Sequence, residues 1–360
     1  MIFLLPYTVL FIIGLLNSGN TSNRIRFVSC AIMFVALSLI MGLRSVNYAG
    51  SDTIVYARDF ERIIRNNYSF TEIFTYFEKD YLFYLFAKLF SLVSTETSLW
   101  ILVCAVLYIY AVSWFIYRYS KNIFLSYMIF MSWDFYLYNY QLMRHCFALT
   151  FVILSLKYVL NRNLGKYLLC LMGAVSSQIV SIVSIGSYWL KKVNIKILVS
   201  IILFFILLLT VLPREQLIDI IFSFSWIDID RFEQFKTRGG SAVTNTFICL
   251  SFIVVTIYMI RKHKDTYFLH NDYKNLPLFL TMSFIALSLY SMQFLIAEFY
   301  RVAQFFSYIT IVMVPLALNM EKNKTIKLII IIVISAFCLK HFWGGLLSAT
   351  EYYPYKFYWE

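Results

Sequence analysis

Three arginines stand where apolar runs meet polar ones: Arg44 in "GLRSVNYAGSDTIVY", Arg144 in "NYQLMRHCFALTFVILSL" and Arg301 in "AEFYRVAQFFSYI". Arginine presents a planar, permanently charged fork suited to phosphate oxygens. Carboxylates lie near these arginines along the chain: Asp52 beyond the Gly50–Ser51 pair, Glu78 and Asp80 before the next apolar run, and Glu298 one helical turn before Arg301. Asp52 or Glu78 could take a proton from a hydroxyl, as could the imidazole of His145 beside Arg144. The plain structural readings are a snorkelling Arg144 at a helix end, an internal Glu298–Arg301 pair and solvated loop carboxylates.

The elements that must position these groups follow from composition. Of 360 residues, 61% are hydrophobic and 14% charged, against roughly 45–50% and 25% in soluble domains. Apolar runs recur along the chain, each near the ~20 residues that cross a bilayer core. The fold expected is an all-α polytopic integral membrane protein, one multi-pass domain over residues 1–360. The runs are 2–16, 25–43, 80–93, 98–117, 123–138, 142–160, 167–190, 197–212, 245–260, 276–296, 299–319 and 327–347, about twelve spans. The first, "MIFLLPYTVLFIIGLL", has no basic leader or cleavage site and reads as a retained helix.

Five short linkers are basic: "RYSKN", "NRNLGK", "KKVNIK", "RKHK" and "EKNKTIK". The preference of Lys and Arg for cytoplasmic loops places them inside. Two longer stretches of mixed charge, 44–79 and 213–244, then belong outside. Simple counting of twelve spans conflicts with this. The conflict disappears if 80–117 crosses an odd number of times and if 167–190, interrupted by "SSQ" at 176–178, is a hairpin or re-entrant pair. Arg44, Asp52, Glu78, Asp80, Arg144, Glu298 and Arg301 then gather at the outer face. Within 44–79, "TIVYARDFERIIRNN" puts Ile54, Ala57, Phe60 and Ile64 on one side of a helix expected to lie in the headgroup region.

Several chemistries find no support. The six cysteines lie singly inside apolar spans, and the four histidines make no metal motif. There is no P-loop, GxGxxG or GxSxG. The net charge of +12 sits mostly in short loops between spans, as membrane topology requires, so nucleic acid is not an expected partner. No cofactor and no metal are expected.

The succession Arg44, Gly50-Ser51-Asp52, Tyr56, then "EKDYLFYLFAKLF", "NYQLMRHCFAL", "EFYRVAQFF" and "YYPYKFYWE" resembles the EpsG-like family of Wzy-type polysaccharide polymerases over nearly the whole chain. The resemblance implies a membrane glycosyltransferase of O-antigen, capsule or exopolysaccharide assembly in the bacterial cytoplasmic (inner) membrane, with its active site facing outside. It implies transfer of a growing glycan from undecaprenyl diphosphate to the next lipid-linked repeat unit. Partners would be those lipid-linked oligosaccharides, the bilayer and a chain-length regulator of the same pathway. Where the family reads Arg-Gln this chain has Arg144-His145, and where the family has a histidine this chain has Gln178. If the two positions face each other, the imidazole has changed places and the pair survives.

On this reading Arg44, Arg144 and Arg301 hold the diphosphate and stabilise its departing charge. Asp52, Glu78 or His145 acts as base, and Tyr56, Gln178 and Glu298 position the substrate. An O-antigen ligase and a lipid-linked oligosaccharide flippase are the alternatives. A flippase would usually show internal repeat symmetry, and none is visible.

Overall fold

A computed structural model describes residues 2–16, 22–48, 50–133, 135–193, 242–348 and 354–360. The run 197–212 and the external stretch 213–244, up to its last three residues, lie outside them. The described residues are helical and form no β-strand, only an isolated bridge between Arg44 and Phe357. They fall into two compact units, one of Met1–Ile182 with Lys322–Glu360, the other of Val183–Glu321.

The first unit contains α1 (Leu4–Leu16), α2 (Asn23–Gly42), α3 (Ser51–Arg65), α4 (Phe70–Tyr76), α5 (Tyr81–Ser91), α6 (Thr97–Tyr119), α7 (Ile123–Ser132), α8 (Met143–Leu160) and α9 (Leu164–Ser177). The second contains α10 (Ala242–Lys262), α11 (Lys264–Leu269), α12 (Leu276–Ser291), α13 (Phe299–Ser307) and α14 (Thr310–Leu318). The chain then returns to the first unit through α15 (Lys324–Ser348).

The apolar runs differ in reach. Among the described residues, six helical stretches are long and apolar enough to cross a membrane: α2, α6, α8, α10, Asn271–Phe294 around α12, and α15 up to Leu347. A seventh results if α13 and α14, bent by 42° at their junction, form one broken span. The helices α1, α5, α7 and α9 and the 3-10 segment Ile179–Tyr188 are shorter. An eleven-residue helix such as α5 rises about 16 Å, roughly half a bilayer core. The interruption expected at "SSQ" is present: α9 stops at Ser177, and Gln178 is extended at φ −159°.

In the first unit α2 packs on α6, and α8 on α6 and α9. Arg26 at the start of α2 donates from Nη2 to the carbonyls of Tyr117 (2.9 Å) and Ser120 (2.8 Å) at the end of α6, so these helices run antiparallel. The opposite end of α2 leads to Arg44, whose guanidinium donates to the Tyr140 carbonyl just before α8. The region 80–117 therefore crosses this unit once, through α6. "RYSKN" lies at the end opposite Arg44 and Arg144, and "NRNLGK", beyond the far end of α8, lies there too.

The helix within 44–79 exists, and its apolar face is packed against protein in the first unit. Thr53, Tyr56, Ala57, Phe60 and Ile63 of α3 are buried, while Arg58, Glu61, Arg62 and Arg65 are exposed. The buried stripe meets Phe83, Tyr84 and Ala87 of α5 and Trp100 of α6 in one aromatic cluster, with Phe60 stacked on Trp100 at 5.4 Å and 13°. Each such ring removes apolar area from water or lipid headgroups that a surface-lying helix would leave uncovered. The turn from α3 into α4 is fixed by a capping box, Ser69 accepting from Glu72 N–H (3.2 Å) and Glu72 from Ser69 N–H (2.6 Å).

Chain ends and linkers are tied in as well. Residues 355–358 run beside the end of α2: Ser45 N–H donates to the Lys356 carbonyl (2.9 Å), Tyr358 N–H to Leu43 (3.0 Å), and Tyr355 OH to Ile40 (2.9 Å). In the second unit α10 packs on α12 and α14. Glu321 there takes Lys262 at 2.6 Å and His263 at 3.1 Å. That contact brings the basic linkers "RKHK" and "EKNKTIK" to one end of the unit.

Candidate functional site

Arg144 lies in the first turn of α8, its side chain one quarter exposed at 25%. Three elements surround its guanidinium. From the residue before α5, Asp80 meets Nη1 at 2.7 Å through Oδ2, and its carboxylate is almost wholly buried. From α3, the Tyr56 ring lies 5.1 Å under Cζ, a cation–π contact. From the interruption after α9, Ile179 N–H donates to the other oxygen of Asp80 at 3.3 Å. Asp80 itself adopts the left-handed conformation at φ +58°, which Asp tolerates better than most residues.

A second carboxylate lies close by. Asp59 of α3 accepts from Tyr84 OH at 3.1 Å and stands 3.7 Å from Arg62. Burial pushes the carboxyls of both Asp59 and Asp80 above their ordinary range, and Arg144 pulls both back. The site thus holds the guanidinium groups of Arg144 and Arg62 beside two partly desolvated carboxylates.

His145, the next residue of α8, is buried. Its Nδ1 lies 2.8 Å from Gln178 Oε1. The two positions whose residue types look exchanged therefore do face each other. The amide oxygen can only accept, so Nδ1 carries the hydrogen of this bond, which orients the imidazole.

The remaining sequence candidates are distributed otherwise. Arg44 is 2% exposed and lies under the Tyr140 ring, donating to the carbonyls of Met41 and Tyr140. In this structure Arg44 ties the end of α2 to the turn before α8. Asp52 is half-buried in the first turn of α3, one turn before Tyr56. Glu78 is exposed, and its carbonyl accepts from Tyr81 OH at 2.8 Å. In the second unit Arg301 meets Glu298 at 2.9 Å and Tyr300 OH at 2.7 Å, so the internal pair exists there. Among the described residues no three His, Cys, Asp or Glu side chains gather to hold a metal ion.

Sequence reasoning placed Asp80 at the outer face without a role and passed over Asp59 and Tyr84. The available signal was the acidic pair of "EKDY" at the border of an apolar run. Charge at a span boundary has an insertion cost of about 2.5–3.5 kcal/mol at mid-membrane that falls toward the surface, so position alone did not separate Asp80 from Glu78.

Helices long enough to span a bilayer define a polytopic membrane protein, with a partly desolvated arginine–carboxylate cluster at one end of its first unit. The chain belongs to the EpsG family, whose family model matches residues 27–357. No curated protein and no solved structure matches it.

Proposed function

We propose that the protein is a polysaccharide repeat-unit polymerase working at the outer face of the bacterial cytoplasmic membrane. The observation that carries this reading is the family match over residues 27–357. The site supports it, because Arg144 is a held, partly exposed guanidinium at the end of the unit opposite "RYSKN". In the reaction, an acceptor hydroxyl oxygen of a lipid-linked repeat unit attacks the anomeric carbon of the growing glycan. The bond from that carbon to undecaprenyl diphosphate breaks, and the diphosphate leaves with the electron pair. Arg144 binds the diphosphate oxygens and offsets the charge that builds on them. Arg301 is a further candidate contact, tested separately by its own alanine variant. His145, held by Gln178, or Asp52 takes the hydroxyl proton. Tyr56 stands beside Arg144 to position sugar. Diphosphate is already a good leaving group, so orientation and electrostatics are the main demands on the protein.

Deleting the gene separates this function from its rivals. A lost polymerase leaves single repeat units at the cell surface. A lost flippase leaves none, and a lost ligase leaves polymer stranded on its lipid carrier. Either of the last two patterns would overturn the proposal.

A further inference from the structure

The contacts around Asp80 close a ring. Arg144 and His145 are consecutive in α8, and each reaches across to the segment that begins at Gln178. His145 does so directly, Nδ1 to Gln178 Oε1 at 2.8 Å. Arg144 does so through Asp80, whose Oδ2 takes the guanidinium at 2.7 Å and whose Oδ1 takes Ile179 N–H at 3.3 Å. We propose that Asp80 is a positioning residue, which fixes the Arg144 guanidinium with one oxygen and the Gln178–Ile179 break with the other, so that arginine and imidazole are presented together.

Three features favour this over a plain structural ion pair. Asp80 holds a left-handed backbone conformation, at φ +58°, to reach both partners. A buried ion pair is weak evidence for stability, since well-packed apolar side chains of similar volume often serve as well. The Asp80 carboxylate also divides its oxygens between a side chain of α8 and a main-chain group immediately after Gln178, whereas Glu78, two residues earlier, is exposed. Helix packing alone does not require that division, because α5 already contacts α9 directly.

The inference rests on the polymerase reading, and the test keeps the two apart. Full-length protein in lipid nanodiscs is titrated with undecaprenyl diphosphate, and polymer is measured in the deletion strain complemented with each variant at matched protein level. Asp80→Asn keeps an acceptor for Ile179 N–H but removes the charge that orients Arg144. Polymer should fall at least tenfold, while undecaprenyl diphosphate binds as tightly as to wild type or more tightly, because a neighbouring negative charge has gone. A collapsed site would lose both together. Ile179→Pro supplies a second variant: it deletes the N–H, the side chain it replaces is exposed, and the extended Gln178 is compatible with a following proline. It too should lower polymer, and the double variant, which loses both contacts, should make less polymer than either single variant. Unchanged polymer in Asp80→Asn, or binding and polymer falling in parallel, overturns the inference. A wild type that binds no undecaprenyl diphosphate overturns the polymerase reading and this inference with it.

Discussion

At the scale of single residues, His145 and Gln178 are the most informative pair. A histidine in a membrane helix has many bland uses, but its contact with Gln178 at 2.8 Å gives the exchanged residue types a geometric basis. His145→Gln should cripple polymer formation. Adding Gln178→His to that variant should recover much of it, since the imidazole then returns from the opposite side of the same contact. Polymer length on whole cells reads both. A double variant as inactive as the single would show that the two positions are not interchangeable. This pairing is legible in the sequence, because an imidazole lost at one position and gained at another is a signal that residue types carry by themselves. The burial of Arg44 is not legible there. Its partners are a nearby carbonyl and that of Tyr140, and main-chain acceptors carry no residue type to read.

At the scale of elements, α3 shows what periodicity can and cannot report. The spacing of Ile54, Ala57, Phe60 and Ile64 marks a helix with one apolar face, and the stripe actually buried is the neighbouring one of Tyr56, Ala57, Phe60 and Ile63. It does not say whether lipid or protein covers that face. Here α5 and Trp100 do, so α3 is a wall of the site and carries Tyr56 and Asp59 to Arg144. Phe60→Ala should therefore destabilise the protein by about 3–5 kcal/mol, the range for truncating a buried aromatic. A lowered unfolding midpoint in detergent, with weaker polymer formation, is the expected result. A helix resting on lipid would tolerate the change with little loss. The broken run 167–190 is likewise readable from "SSQ", whereas the Ile179 N–H bound by Asp80 is not, since sequence gives no direction to a main-chain group.

At the scale of the whole molecule, packing separates the two ends of the first unit and predicts which residues share a side. A cysteine at Asn66 should react with an impermeant reagent in spheroplasts, and a cysteine at Lys121 should be protected; the basic linker at Lys264 should be protected too, by the cytoplasmic preference of Lys and Arg alone. The reverse pattern for Asn66 and Lys121 would invert the proposed orientation. The docking of residues 355–358 along the end of α2 has a further consequence, in the order of synthesis. Tyr355 and Ile40 are 315 positions apart. At about 5–20 residues per second this is roughly 15–60 s of translation. During that time Leu43 and Ser45, on either side of Arg44, have been inserted without the main-chain partners they later acquire. The nascent chain must therefore carry an open seam beside its arginine until residues 355–358 have been made, and those residues close it.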